Sequence, residues 1–313
     1  MDYVAKSLVK IVGNAAIAAY PHIGTGGKEE GDQAAVDAMR AAFEGIEIDA
    51  IVRVGEGEKD EAPMLYVGEK LGVGTGLKLD IAVDPIEGTS LMAAGKPNAI
   101  AVIAVTEQNA FWDAGDAYYM NKIVVGKEAS AVIDINASID QNLRAIAKAK
   151  GKRLNELTIY VLNKPRHKGL IEEIEALGSI VALHDEGDVI GSVLALIDNG
   201  GVDALMGIGG APEAVITAAA VKAIGGGMQG KLVPQKDDEK VKLIDSGIDL
   251  SKVLYLDDLI NSEYAVFAAA GVTTGPLLEG VSLENNLYKT EVIIIDSNSG
   301  IHKEFFTITL SEC

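Results

Sequence analysis

The stretch from residue 157 to residue 224 most constrains what this chain can fold into. Leu157–Leu162, Ser179–Leu183 and Asp203–Met206 read as short strands. Lys168–Leu177, Asp188–Ile197 and Pro212–Ile224 read as helices between and after them. This is the alternation of βαβ units, and it predicts a mostly parallel sheet with helices on its faces. Ligands of such sheets bind at the carboxyl ends of the strands. The three strand ends are therefore where chemistry is to be sought.

After the first strand comes Asn163-Lys164-Pro165-Arg166-His167, a basic cluster. A solvated loop is its ordinary reading, but a strand end and the fork of an arginine make phosphate binding competitive. After the second comes His184-Asp185-Glu186-Gly187-Asp188-Val189, where Asp188 is most simply a helix N-cap. After the third comes Gly207-Ile208-Gly209-Gly210-Ala211-Pro212-Glu213. Backbone amides of such a loop can cradle an anion, and Glu213 falls in a first helical turn, where a carboxylate gains from the dipole.

The N-terminal half has a different texture. Val4, Leu8, Ile11, Val12, Ala15 and Ala19 lie at helical spacing, and Pro21 ends that helix. A glycine-rich loop, residues 22–32, leads into a second helix marked by Ala35, Ala38, Met39, Ala42 and Phe43. Asp32 sits near its start, where an N-cap is again the simplest role. Ile46, Ile48, Val52 and Val54 mark a strand that runs into Gly55-Glu56-Gly57-Glu58-Lys59-Asp60-Glu61. Leu77, Leu79, Ile81 and Val83 mark the next strand, followed by Asp84-Pro85-Ile86-Glu87-Gly88-Thr89. Pro85 cannot donate to a ladder and predicts that the strand stops there. A buried strand is expected over 99–106, a further one over 123–125, and a helix over 138–150. The C-terminal region reads as strands near 253–256 and 264–267, then a hairpin over 291–310.

Three acidic clusters thus follow one plan. Asp32 sits in a glycine loop, Glu56 follows a strand, and Asp84 and Glu87 follow the next. Crowded carboxylates repel each other unless a cation relieves them, and Mg²⁺ and Mn²⁺ prefer such oxygen ligands. The formal net charge of −19 argues against a nucleic-acid partner. An anionic small molecule then needs local cations. The single cysteine, Cys313, cannot form an internal disulfide, which suits a reducing cytoplasm. The four histidines lack zinc-ligand spacing. No secretory signal and no run of roughly 20 apolar residues is found, so a cytoplasmic protein is expected, with no membrane.

The strings D-P-I-E-G-T, G-E-G-E-K-D-E-A-P-M-L, G-K-x-x-x-D, K-P-R and G-G-x-P-E together resemble the class II fructose-1,6-bisphosphatases. These belong to the lithium-sensitive, Mg²⁺-dependent sugar-phosphatase superfamily. The resemblance implies an α/β protein, α+β in its first half and βαβ in its second, layered as an αβαβα sandwich. It implies a metal-binding domain over 1–155 and a substrate domain over 156–313, with residues from about 270 folding back on the first. A homodimer or homotetramer is the expected assembly. Metal-ligand positions fall on Asp32, Glu56, Asp84, Glu87 and Glu213, for Mn²⁺ or Mg²⁺. Thr89 takes the position that orients the attacking water, and Lys28 and Asp60 match further active-site positions. The water's basic partner is left between Asp32 and Asp60. Substrate contacts fall on Glu87, Gly88, Thr89, Tyr119 of Y-M-x-K, Lys164, Pro165, Arg166, Glu186, Gly187, Asp188 and Gly210. The reaction implied is hydrolysis of the 1-phosphate of fructose 1,6-bisphosphate, a step of gluconeogenesis, with sedoheptulose 1,7-bisphosphate as an additional substrate in some relatives. An inositol-monophosphatase-like enzyme fits less well, because Glu87 departs from its usual Asp and a monophosphate needs no K-P-R loop. An anion- or nucleotide-binding regulator is the non-enzyme alternative, but no G-x-G-x-x-G follows the first strand.

Overall fold

The computed structural model describes residues 3–55 and 64–311. The chain begins with helix α1 (Tyr3–Ala19), which passes into a 3₁₀ turn, Tyr20–His22, containing Pro21. Helix α2 (Lys28–Ala42) follows the glycine-rich loop. Strands β1 (Ile48–Val54), β2 (Lys70–Leu71) and β3 (Leu77–Glu87), the short helix α3 (Thr89–Ala93) and strand β4 (Ile100–Glu107) complete the first pass. The expected buried strand is β4, whose residues Ile100–Thr106 are all out of solvent.

The middle of the chain holds β5 (Tyr119–Val125), α4 (Ile139–Lys150), β6 (Thr158–Leu162), α5 (Lys168–Ala176), β7 (Ile180–His184), α6 (Asp188–Leu196), β8 (Ala204–Gly210), α7 (Ala211–Ile224), β9 (Gly227–Leu232), α8 (Asp237–Asp245), β10 (Leu254–Tyr255) and α9 (Leu256–Leu259). The chain then ends in β11 (Ala265–Gly271), β12 (Ser282–Glu284), β13 (Leu287–Asp296) and β14 (Gly300–Thr309). The class is mixed α/β, as the sequence leads one to expect.

By contact the chain forms two compact units, residues 1–111 with 262–313, and residues 112–261. The segment Gly151-Lys152-Arg153 lies between α4 and β6, inside the second of these. In the first unit the strands run β12-β13-β11-β4-β3-β1-β2, with β14 added on β13. β1 and β3 are parallel; the other pairings are antiparallel. Alternate residues of β1, β3, β4, β11 and β13 turn to one core with α1 and α2: Val52, Ile81, Ile103, Ala268 and Ile294 among them. Each fully buried Val or Ile among them contributes roughly 1.5–3 kcal/mol. Gly13 of α1 is obligatory in this packing, since a Cβ there would lie 2.2 Å from the Phe306 ring of β14.

One expectation for this sheet is corrected. Pro85 does not end β3, which continues to Glu87. Asp84 opposes Val102 and Glu87 opposes Ile100, so three steps on β3 face two on β4. The extra residue makes a β-bulge, one of the few sheet positions that tolerates a proline. Within the bulge the Ile86 amide donates to Asp84 Oδ1 at 3.0 Å instead of to the ladder.

The second unit carries the sheet β10-β9-β5-β8-β6-β7. It is mixed rather than mostly parallel. β7, β6 and β8 run parallel, as the βαβ alternation requires, whereas β5 lies antiparallel to both β8 and β9, and β10 to β9. Ile123, Ile159, Val161 and Met206 form one core with Leu143 and Ile146 of α4 and Ile174 of α5. Helix α4 starts at the expected place with a full capping box: Gln141 N donates to Ser138 Oγ and Ser138 N to Gln141 Oε1.

Candidate active site

In the first unit the functional candidates gather where β3 meets α3. Asp84 and Glu87 each present a carboxylate oxygen within 4.8 Å of the other. Asp84 is half-buried and Glu87 buried. Gly88 caps α3 in the left-handed region, φ 86°, where a side chain would be strained. This turn brings Thr89 into the first position of α3, one residue beyond the carboxylate pair. The glycine-rich loop is tied to the same helix: Gly24 N donates to Met92 O at 3.0 Å and Gly26 N to Ala93 O at 2.9 Å. Gly31 of α2 packs closely on Met92, and a Cβ there would sit 2.4 Å from Met92 Cε. Lys28 Nζ donates to Ser90 Oγ at 3.3 Å. The start of α2 and the start of α3 are thus locked side by side.

Asp32 is not an N-cap. Gly27 holds that position, and Asp32 lies in the second turn of α2, four residues after Lys28. Burial pushes its carboxyl above the ordinary range, against the pull of Lys28. Burial outweighs the one lysine acting on this carboxyl, and a divalent ion beside it would reverse the shift. Glu56 and Asp60 lie outside the described residues.

In the second unit the loops after β6, β7 and β8 carry the remaining candidates. Lys164 precedes a 3₁₀ turn, Pro165–His167. Arg166 lies over the Tyr119 ring at 5.4 Å and donates through Nε and Nη2 to the Ile208 carbonyl, at 3.1 and 2.8 Å. Tyr119 opposes Gly210 across the β5–β8 ladder. Gly187, φ 96°, caps α6, so Asp188 is the first helical residue rather than the cap. Glu186 is half-buried, and its carbonyl accepts from the Tyr160 hydroxyl at 3.3 Å. Gly210 caps α7, which places Glu213 at the third helical position, in the first turn as expected.

Two buried polar residues beside these candidates were not singled out from the sequence. Lys122, 1% exposed, lies 2.5 Å from Asp188 Oδ2 and donates to the Gly210 carbonyl at 2.8 Å. The carboxylate contact is a charge pair without hydrogen-bond alignment. Its signal was a lysine between Met120 and Val124 on one face of a buried strand. His167 is the other. Its Nε2 accepts from Ile208 N at 2.7 Å, so Nδ1 carries the proton and donates to Leu162 O at 2.7 Å. Ile208 is therefore clipped on both sides, its amide by His167 and its carbonyl by Arg166. Glu213 Oε2 is buried without a hydrogen-bond partner. Burial, and then Asp188, raise the Glu213 carboxyl, while Lys122 opposes them. An orphaned buried carboxylate oxygen fits a cation ligand.

The fold is mixed α/β, and its strand ends present carboxylate pairs and an arginine–lysine loop suited to phosphate esters. The family described as bacterial fructose-1,6-bisphosphatase, glpX-encoded, matches residues 2–309, and the chain belongs to that family. It is 46% identical over 298 residues to a fructose-1,6-bisphosphatase class 2 of Haemophilus influenzae, covering 91% of this chain and 89% of that one. It is 44% identical over 303 residues to fructose-1,6-bisphosphatase 1 class 2 of Escherichia coli, covering 93% and 90%. Among solved structures, an extragenic suppressor from Pyrococcus furiosus covers 62% of this chain and 70% of its own at 12% identity and a TM-score of 0.31, too distant a likeness to bear on the fold. Among the described residues, no helix is long and apolar enough to cross a membrane.

Proposed function

We propose that this protein hydrolyses the 1-phosphate of fructose 1,6-bisphosphate, releasing fructose 6-phosphate and phosphate, with Mn²⁺ or Mg²⁺ held by carboxylates. The observation that carries this reading is the Asp84–Glu87 pair, set in a bulge directly before Gly88 and Thr89, in a chain with class 2 relatives at 44–46% identity. Asp32, Glu56, Asp84, Glu87 and Glu213 are the proposed metal ligands. Bound divalent ions supply a water of lowered pKa and neutralise phosphoryl oxygens. Thr89 is assigned to orient that water through its hydroxyl, with Asp32 or Asp60 as its basic partner. Lys28, exposed at the start of α2, is assigned to the reacting phosphate.

Recognition of the far end of the substrate is assigned to the second unit. Lys164 and Arg166 hold the distal phosphate, with Pro165 fixing the turn and Tyr119 backing the guanidinium. Glu186, Gly187, Asp188 and Gly210 contact the sugar. A bisphosphate suits this division, because the acidic chain needs a cationic anchor for each anionic end. The test is phosphate release from a panel of sugar phosphates. Turnover of fructose 1,6-bisphosphate should vanish on chelation and return with Mn²⁺ or Mg²⁺. Full turnover in a metal-free sample, or equal rates on inositol monophosphate, overturns the reading.

A further inference from the structure

Lys122 is a buried charge that the proposed chemistry does not use. A buried ammonium is costly unless it is paired and hydrogen-bonded. For packing alone a methionine of similar volume would serve as well, and replacing buried charges by apolar residues is often neutral or stabilising. The charge at Lys122 therefore needs a reason beyond the fold. Its partners supply one. Asp188 Oδ2 lies 2.5 Å away and the Gly210 carbonyl 2.8 Å away, and both residues are assigned above to the sugar.

The surrounding backbone is shaped to the same contacts. A Cβ on Gly209 would fall 1.9 Å from Asp188 Oδ2 and 3.0 Å from Lys122 Cε. A Cβ on Gly210 would fall 1.6 Å from Glu213 Oε2. The carboxylates of Asp188 and Glu213 thus lie directly over the Gly209-Gly210 backbone. Lys122 joins them from β5, on a different strand. One buried cation faces two acids, and of these Asp188 lies in direct charge contact with it, while Glu213 keeps a buried oxygen without a hydrogen-bond partner.

We propose that Lys122 is a positioning residue for sugar recognition: its ammonium holds Asp188 and the Gly210 carbonyl together and so sets the start of α6 against the start of α7. This rests on the reading of Asp188 and Gly210 as sugar contacts. The role is exerted through Asp188, so it predicts non-additivity. Charge-assisted contacts of this kind imply roughly a tenfold to hundredfold loss of sugar-phosphate affinity when the charge is removed.

Fructose 6-phosphate, titrated calorimetrically into the metal-loaded protein, reads the affinity without turnover. Lys122→Met should weaken binding by that factor, and KM for the bisphosphate should rise more than kcat falls. Asp188→Asn should weaken binding too, and adding Lys122→Met to it should cost little more. If Lys122→Met does not fold, Lys122→Gln, which keeps a donor for Gly210 without the charge, carries the same expectation. Folded Lys122 variants that bind as wild type, or losses that add fully in the double variant, overturn the proposal. A wild-type protein that neither binds fructose 6-phosphate nor turns over the bisphosphate overturns instead the functional reading beneath it.

Discussion

The two units bring carboxylates to strand ends by different physical means. In the first, the backbone does the placing. A bulge at Pro85 and a left-handed Gly88 aim Asp84, Glu87 and Thr89, and the Ile86 amide bonds back to Asp84. In the second, charge does it. Asp188 is held by a buried ammonium, and Asp188 and Glu213 press on glycines that have no room for a side chain. A backbone-built site keeps its shape when a carboxylate is neutralised, because the turn survives. A charge-built site loses its balance when either partner is removed.

The sharpest probe of this contrast is Asp84→Asn. The amide oxygen can still accept from Ile86, so the bulge and the melting temperature should change little. Removing a charge that the transition state needs costs about 3–4 kcal/mol, so kcat/KM should fall by roughly a hundredfold to a thousandfold. Mn²⁺ affinity, read by electron paramagnetic resonance, should fall with it. Near-wild-type turnover would remove Asp84 from the metal site, and a large loss of stability would break the distinction between the two units.

Arg166→Ala should have a smaller effect. A forked, charge-assisted contact is worth roughly 1.5–3 kcal/mol, or a tenfold to hundredfold loss in kcat/KM. The loss should be seen with fructose 1,6-bisphosphate and be much smaller with fructose 1-phosphate, which lacks the distal group. Equal losses on both substrates would place Arg166 at the reacting phosphate or in the fold, where its bonds to Ile208 already give it a share.

The mildest effect belongs to His167. Burial holds its imidazole below the ordinary range, against its bond to the Leu162 carbonyl, and Arg166 and Lys164 push it the same way as burial. The unfolded chain takes up a proton near pH 6.5 while the folded chain does not. Stability is therefore full above that value and declines as pH falls toward the folded pKa. His184, also held down by burial with Asp185 opposing, adds in the same sense. Denaturant titrations from pH 8 to pH 5 should show the decline, and His167→Gln should flatten part of it. An identical slope in the variant would mean that the protonation lies elsewhere.

Sequence alone determined what depends on neighbours in the chain. Alternation marked β3, an unbroken apolar run marked β4, helical spacing marked α1 and α2, and the strand-then-acid pattern pointed to Asp84 and Glu87. Those signals are local, because side-chain period and turn residues act over a few positions. Tertiary structure decided what depends on distant pairing. The antiparallel placement of β5 and β9 turned an expected mostly parallel sheet into a mixed one. Pro85 became a bulge residue rather than a stop because β4 supplied one residue fewer opposite it. Lys122 reaches Gly210 across 88 positions of chain, and His167 reaches Ile208 across 41. No periodicity encodes such contacts, since a buried ammonium or a neutral imidazole is affordable only where folding has already delivered its partners.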